Sequence, residues 1–566
     1  MPVLAGYLPS YEVARDRARR PARDRPAILL KAVGSSHWPK ELSIVRVLPL
    51  CFLLFSAGLP GSAQDLPEPP KKAVEFQELQ KKVSEFTLPN GLHFIVLERH
   101  ESPVVSFHTW VNVGSTQDPA GETGLTHMFG QVAFKGTETI GTRNWPEEKK
   151  ALDAAEEAYD RLEAEANKGI KADQTRVDML RTQFRLAADN AQHLSASPQY
   201  RGTLEENGAV NLAASVSTDS TEYSCSLPSN RAELWFLMES QRLLHPVFRE
   251  FYGERELALE DRQRADSNPP ARMLAELMSA AFKVHPYRNP PGGWPSDIMN
   301  LRRTQAQAFR ERYCVPGNIT VAIVGDVPVA DAKRLAERYF GPMAAKPLPP
   351  LTASGEPPQN GPKTVVVEMP GQPLTMVGYK RPSQYDRDDL VLDLIQLLLS
   401  GGRMGILQKQ LVEEKRIAQQ ARAVATNPDG RFPNVFAFLL IPAPGRTVEE
   451  NQRALEDLLQ RLKSTAVDPV LLARAKAQGR ANLIHAIAAN RDLARSLALY
   501  SATYGDWRKL FTTLDDLDRV SPADVQRAAN RYFVAAGRTT VYTVLPGQSD
   551  APPPPKLPER KTGGPQ

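Results

Sequence analysis

The chain has 566 residues, of which 42% are hydrophobic and 24% charged, and its formal net charge is +5. That length exceeds what one hydrophobic core organises, so two or more domains are expected. The charge excess is small and much of it lies in the first 46 residues, which argues against a nucleic-acid-binding surface.

Residues 1–39 are rich in Arg and Pro and read as a non-native or disordered N-terminal extension. Residues 40–63 then carry Lys40 and Arg46, an apolar run over 47–59 and the small residues Gly61-Ser62-Ala63, the pattern of a secretory signal peptide. The run is too short to span a bilayer. A mature chain starting after Ala63 is therefore expected to be exported, to the periplasm or the outside, with no membrane span. Cys51 falls inside that segment, leaving Cys225 and Cys314, whose pairing the sequence leaves open.

Residues 86–97 hold the turn signal Pro89-Asn90-Gly91 followed by an apolar strand, and 104–113 alternate like a half-buried second strand. Residues 124–137 read Gly-Leu-Thr-His-Met-Phe-Gly-Gln-Val-Ala-Phe-Lys-Gly-Thr. Leu125, Met128, Phe129, Val132 and Ala133 recur at helical spacing, so His127 and Gln131 share one helix face. From 146 to about 200 the composition turns to Ala, Glu, Lys, Arg and Leu, with a heptad-like stripe from Leu152 to Ala166 and a break at Gly169. This predicts a helical hairpin inserted in the first domain, either a surface projection or a docking arm. Helices are also expected over 231–249 and from Glu254 onward.

An internal repeat divides the rest. Arg312-Tyr313-Cys314-Val315 and the strand 319–324 are echoed about 220 residues later by Arg531-Tyr532-Phe533-Val534 and the strand 539–544. Pro and Gly crowd residues 341–363, the expected linker between an N-terminal domain (64–340) and a C-terminal domain (364–547). The fold class that follows is α+β, with two homologous α/β-sandwich domains, each a sheet packed by helices. The Pro-rich tail 548–566 is expected to be disordered. No nucleophile elbow, Walker loop or dinucleotide fingerprint stands out.

The segment 124–137 resembles the zinc helix of the insulinase/pitrilysin (inverzincin) metallopeptidases, Gly-Leu-x-His-x-x-Glu-His-x-x-Phe-x-Gly-Thr, and the whole suggests the two-domain bacterial processing-peptidase-like type. Gly124, Leu125, His127, Phe134, Lys135, Gly136 and Thr137 fall where that frame expects them. The resemblance implies two His and a distant Glu holding zinc, with the intervening Glu as general base. Gly130 stands at the base position, Gln131 at the second ligand and Asp261, in Glu254-Arg255-Glu256-Leu257-Ala258-Leu259-Glu260-Asp261, at the third. It further implies a substrate-side edge strand carrying Thr221 and Tyr223, with Ala213 where relatives use an Asn, followed by Ala214. With no catalytic residue and vestigial ligands at His127, Gln131 and Asp261, neither zinc nor another cofactor is expected. The expected role is a non-catalytic subunit or peptide-binding pseudopeptidase, partnered by peptide or by a catalytically intact relative in a homo- or heterodimer. The alternative is a weakly active zinc endopeptidase using His127, Asp261 and a water, so whether the chain is an enzyme stays open.

Overall fold

The computed structural model describes residues 78–351 and 353–547; the expectations for 1–39, for the signal segment 40–63 and for the tail 548–566 concern residues outside that range. Strand β1 (Val83–Thr87) turns through Pro89-Asn90-Gly91 into β2 (His93–Glu98), where Gly91 supplies a φ of 96° that an L side chain resists. With β3 (Val104–Val111), β4 (Val210–Val216), β5 (Thr221–Pro228) and β6 (Ile319–Gly325) these form one sheet in the order β1-β2-β6-β3-β5-β4. β2 and β6 run parallel and every other neighbouring pair antiparallel.

The C-terminal half builds a second sheet from β7 (Lys363–Glu368), β8 (Thr375–Arg381), β9 (Ala418–Val424), β10 (Asn434–Pro442) and β11 (Arg538–Val544), ordered β7-β11-β8-β10-β9. Its single parallel pair is β7–β11. Leaving β1 aside, both sheets place the first strand beside the last, then the second, fourth and third, with the same directions. The repeated Arg-Tyr pairs close equivalent helices, Arg303–Tyr313 before β6 and Pro522–Tyr532 before β11. The α+β, two-half architecture expected from the repeat is what the chain adopts.

Each sheet is covered on both faces, and one cover is exchanged between halves. On β10, Phe436 and Phe438 point into a core with the helices Asp389–Ser400, Val448–Ser464 and Pro522–Tyr532, while Val435 and Ala437 point the other way. That second face is sealed by Met273, Leu277 and Met278 of the helix Pro269–Ala281, which belongs to the N-terminal half. Reciprocally, Asn490–Tyr504 of the C-terminal half packs on β3 and β6 of the first sheet. β3 accordingly has Val105, Phe107 and Val111 buried on one face and Ser106, His108 and Trp110 buried on the other. Each large apolar side chain removed from water here contributes about 1.5–3 kcal/mol, so the exchange binds the halves strongly.

The hairpin consists of Trp145–Ala166 and Gln174–Leu194, with Gly169 at φ 59° in the break. Tyr159 and Phe184 meet edge-on at 5.1 Å and both touch Tyr252 at 4.9 Å, fastening the hairpin to the helix Phe251–Asp266. Cys225 and Cys314 are both free thiols.

Candidate functional site

The helix Leu125–Val132 carries the sequence-predicted site, and both of its ends are tied down by side chains. Upstream, Asp118 accepts from the backbone N–H of Gly124 and of Thr126, each at 2.9 Å. Burial still dominates its ionisation and pushes the carboxyl up to about 7. Downstream, Lys135 pairs with Glu254 at 2.9 Å and with Glu250. Gly136 has φ 102°, and a Cβ there would lie 2.2 Å from the Ile140 carbonyl oxygen. Beneath it Arg249, itself buried, binds Glu148 and donates to the carbonyls of Lys135 and Thr137. The Phe-Lys-Gly-Thr ending is therefore a structural clamp between this helix and Phe251–Asp266.

At the centre of the helix, Gln131 Nε2 lies 3.3 Å from His127 Nε2. An amide nitrogen can only donate, so the imidazole nitrogen accepts with the lone pair a metal would use. Gln131 Oε1 is buried with no hydrogen-bond partner among the described residues. Burial holds the His127 pKa below its ordinary value, with the Asp261 charge offsetting part of that, so His127 is neutral near pH 7. Asp261 thus lies within electrostatic reach of His127, as the third-ligand assignment requires, but its carboxylate is ion-paired to Arg264 one turn on. Gly130 offers no group; a Cβ there would meet only Val216 Cγ2, at 3.5 Å.

The zinc implied by the resemblance finds a poor donor set in these residues. One imidazole, one neutral amide and one short carboxylate held by an arginine replace two imidazoles and a Glu. Among the described residues, no three His, Cys, Asp or Glu side chains converge as a metal-binding group.

The substrate-strand residues divide. Ala213 and Ala214 lie on β4, an edge strand of the first sheet among the described residues, paired inward with Ser224 and Tyr223. Thr221 and Tyr223 lie one strand in, on β5, which corrects the expectation of an edge strand carrying them. Thr221 Oγ1 donates to the Val113 carbonyl at 2.9 Å, and Tyr223 sits beneath the Arg242 guanidinium, 3.5 Å from its ring centre. Both side chains are buried because β5 is sandwiched between β3 and β4. The pairing of β4 breaks between Val210 and Ala213, where Asn211 adopts φ 56°, a bulge that re-aims the edge.

Around β4 the C-terminal half supplies residues that sequence reasoning missed. The turn after β4 is held by Asp429, which accepts from Thr218 N at 2.9 Å and Asp219 N at 3.2 Å. Asp219 in turn accepts from Arg431 N at 3.1 Å and from the Tyr287 hydroxyl. Burial first, and the neighbouring Asp429 charge second, push Asp219 up to about 6. On the sheet face under Asn490–Tyr504, Arg495 grips Glu222 through two bonds of 2.8 and 3.1 Å, and His108 Nε2 lies 3.1 Å from the same carboxylate. Desolvation opposes ionisation of Glu222, yet Arg495 and His108 together bring it down to about 2. The contacts made by Asp429, Arg431 and Arg495 join positions more than 200 residues apart, and no local pattern announces them.

Two α+β halves of like topology exchange helices, with a Gly-Leu-x-His helix on the first sheet, and solved M16-like peptidase structures share this fold. The family described as the peptidase M16 inactive domain matches residues 300–478. The zinc protease PqqE of Helicobacter pylori is 26% identical over 480 residues, covering 82% of this chain and 94% of that one. Among solved structures, a protease from Helicobacter pylori superposes with a TM-score of 0.68 at 24% identity, over 82% of this chain and 99% of its own. The periplasmic protease PqqL of Escherichia coli does so with a TM-score of 0.59 at 15% identity, and this chain spans 48% of it. These comparisons support an insulinase-family, M16 metallopeptidase-like protein.

Proposed function

We propose that this chain is an exported, non-catalytic member of its family that binds extended peptide along β4, by itself or beside a catalytically intact relative. The observation that carries the reading is the pair Gly130 and Gln131, since the first supplies no proton acceptor and the second directs an amide N–H at the one imidazole left. Loss of a general base alone costs on the order of 100- to 10,000-fold in rate. The fold supports the reading: among the described residues β4 is unpaired on its outer side, and an open edge accepts a strand through main-chain hydrogen bonds. Export is supported by the signal-like segment 40–63, and among the described residues no helix is long and apolar enough to cross a membrane.

Elemental analysis of the purified mature chain tests the reading. About one zinc per chain would overturn it in favour of a weak endopeptidase using His127, Asp261 and a water. The triple variant Gly130→Glu, Gln131→His, Asp261→Glu should take up zinc, because it restores both imidazoles and the carboxylate reach. Little hydrolysis is expected from it until Ala213→Asn is added or an intact partner is supplied. A folded triple variant that stays metal-free shows that these positions do not map onto a zinc site.

A further inference from the structure

β4 presents one face to the helices of its own half and the other toward Asn490–Tyr504 of the C-terminal half. Ala214 pairs with Tyr223 and belongs to the first face; Ala213 and Ser215 pair with Ser224 and Glu222 and belong to the second. Over that second face stand two guanidinium groups, one turn apart on the exchanged helix. Arg491 Nη1 donates to Asn211 Oδ1 at 3.2 Å, and Arg495 reaches Glu222, the residue opposite Ser215. From this helix, which packs on β3 and β6, Arg491 reaches β4 and Arg495 reaches β5, at register positions on either side of Ala213.

The two cations are not equally committed. Arg495, whose own side chain is 47% exposed, is engaged bidentately by a carboxylate that is 8% exposed, so the two differ in their partners and not in their exposure. Arg491 has 46% of its side chain exposed, with a single 3.0 Å contact from Nε to Asp492 besides its bond to Asn211. Its Nη2 makes no hydrogen bond among the described residues. Small side chains at Ala213 and Ser215 leave the strip below these groups low, and the bulge at Asn211 turns the end of the strand toward Arg491.

We propose that Arg491 is a specificity-determining residue that selects peptides carrying an acidic side chain where the added strand passes Asn211. The inference rests on the reading of β4 as a peptide-binding edge. A strand hydrogen-bonded to β4 projects alternate side chains onto the face beneath the exchanged helix. A Glu or Asp there meets the free side of a guanidinium whose planar fork matches a carboxylate. Asn211 holds the arginine in place meanwhile, and a Lys at the same peptide position meets like charge.

Fluorescence anisotropy on the full mature chain tests this with short labelled peptides of alternating pattern that carry Glu, Gln or Lys at the relevant position. A fourth peptide keeps the Glu but is N-methylated at alternate backbone positions. The unmodified Glu peptide should bind about fivefold more tightly than the Gln peptide, the scale of a half-exposed ion pair, and the N-methylated peptide should not bind. Arg491→Gln should bring Glu and Gln peptides within about twofold of each other, and Arg491→Glu should shift preference to the Lys peptide. Equal binding of Glu and Gln peptides to the unaltered protein, with the N-methylated peptide still rejected, overturns the role of Arg491 and leaves the edge reading standing. Undiminished binding of the N-methylated peptide, or no binding of any peptide, overturns the edge reading and this inference with it.

Discussion

The last three residues of the segment 124–137 and the pair at its centre obey different constraints. Lys135, Gly136 and Thr137 are each engaged: an ion pair to the next helix, a backbone conformation with no room for Cβ, and a carbonyl held by buried Arg249. Among the described residues, Gln131 makes its one hydrogen bond within its own helix, and Gly130 has no side chain to make any. The contrast teaches that the family frame survives here because packing requires it, whereas the chemical positions, under no such demand, are free to differ.

The largest test of this contrast is Arg249→Ala. It strands Glu148 as a buried charge without its partner and should cost about 3–5 kcal/mol, read as a fall in the urea midpoint. The seam around Asp219 gives a scale independent of the segment. Its carboxyl sits at about 6 in the folded chain against an ordinary 3.8, so folding takes up a proton between those values. Stability is therefore full below about pH 4 and falls as pH rises through 6, by about 2–3 kcal/mol. Asp219→Asn should flatten that slope in urea melts run from pH 4 to 7. Gly136→Ala forces an L residue to φ 102° and against Ile140, and should cost about 1–3 kcal/mol. Smallest, and opposite in sign, Gly130→Ala should stabilise by about 0.5–1 kcal/mol, because the new methyl finds only an ordinary contact with Val216. A destabilised Gly130→Ala would mean that the centre of the helix is under a packing constraint after all.

Hydrophobic period and repeat made the architecture legible, since Leu125, Met128 and Phe129 are buried as their spacing demands and the echoed Arg-Tyr helices close equivalent strands. What periodicity cannot say is whose sheet a buried face meets. Met273 and Leu277 look like any amphipathic stripe, and nothing in them says that they seal the sheet of the other half. The edge is read only in part, Ala213 and Ala214 falling on it and Thr221 and Tyr223 one strand in, for a related reason: β4 is partly exposed along most of its length, without the alternation that marks a half-buried strand. The Asn211–Arg491 contact joins residues 280 apart, beyond the reach of any local pattern. The central substitutions at Gly130 and Gln131, by contrast, were legible only because the frame around them is so well kept.

The exchanged helices also impose an order on synthesis. The last strand of the first sheet ends at Gly325, yet the cover for its second face starts only at Asn490. At roughly 5–20 residues per second, a nascent chain carries that face bare for about 10–30 seconds. Trp110 and its neighbours then wait in water for a helix that does not yet exist, and a chain truncated before Asn490 should aggregate rather than fold as a half. Such a protein has reason to keep a holding chaperone close until its last third has emerged.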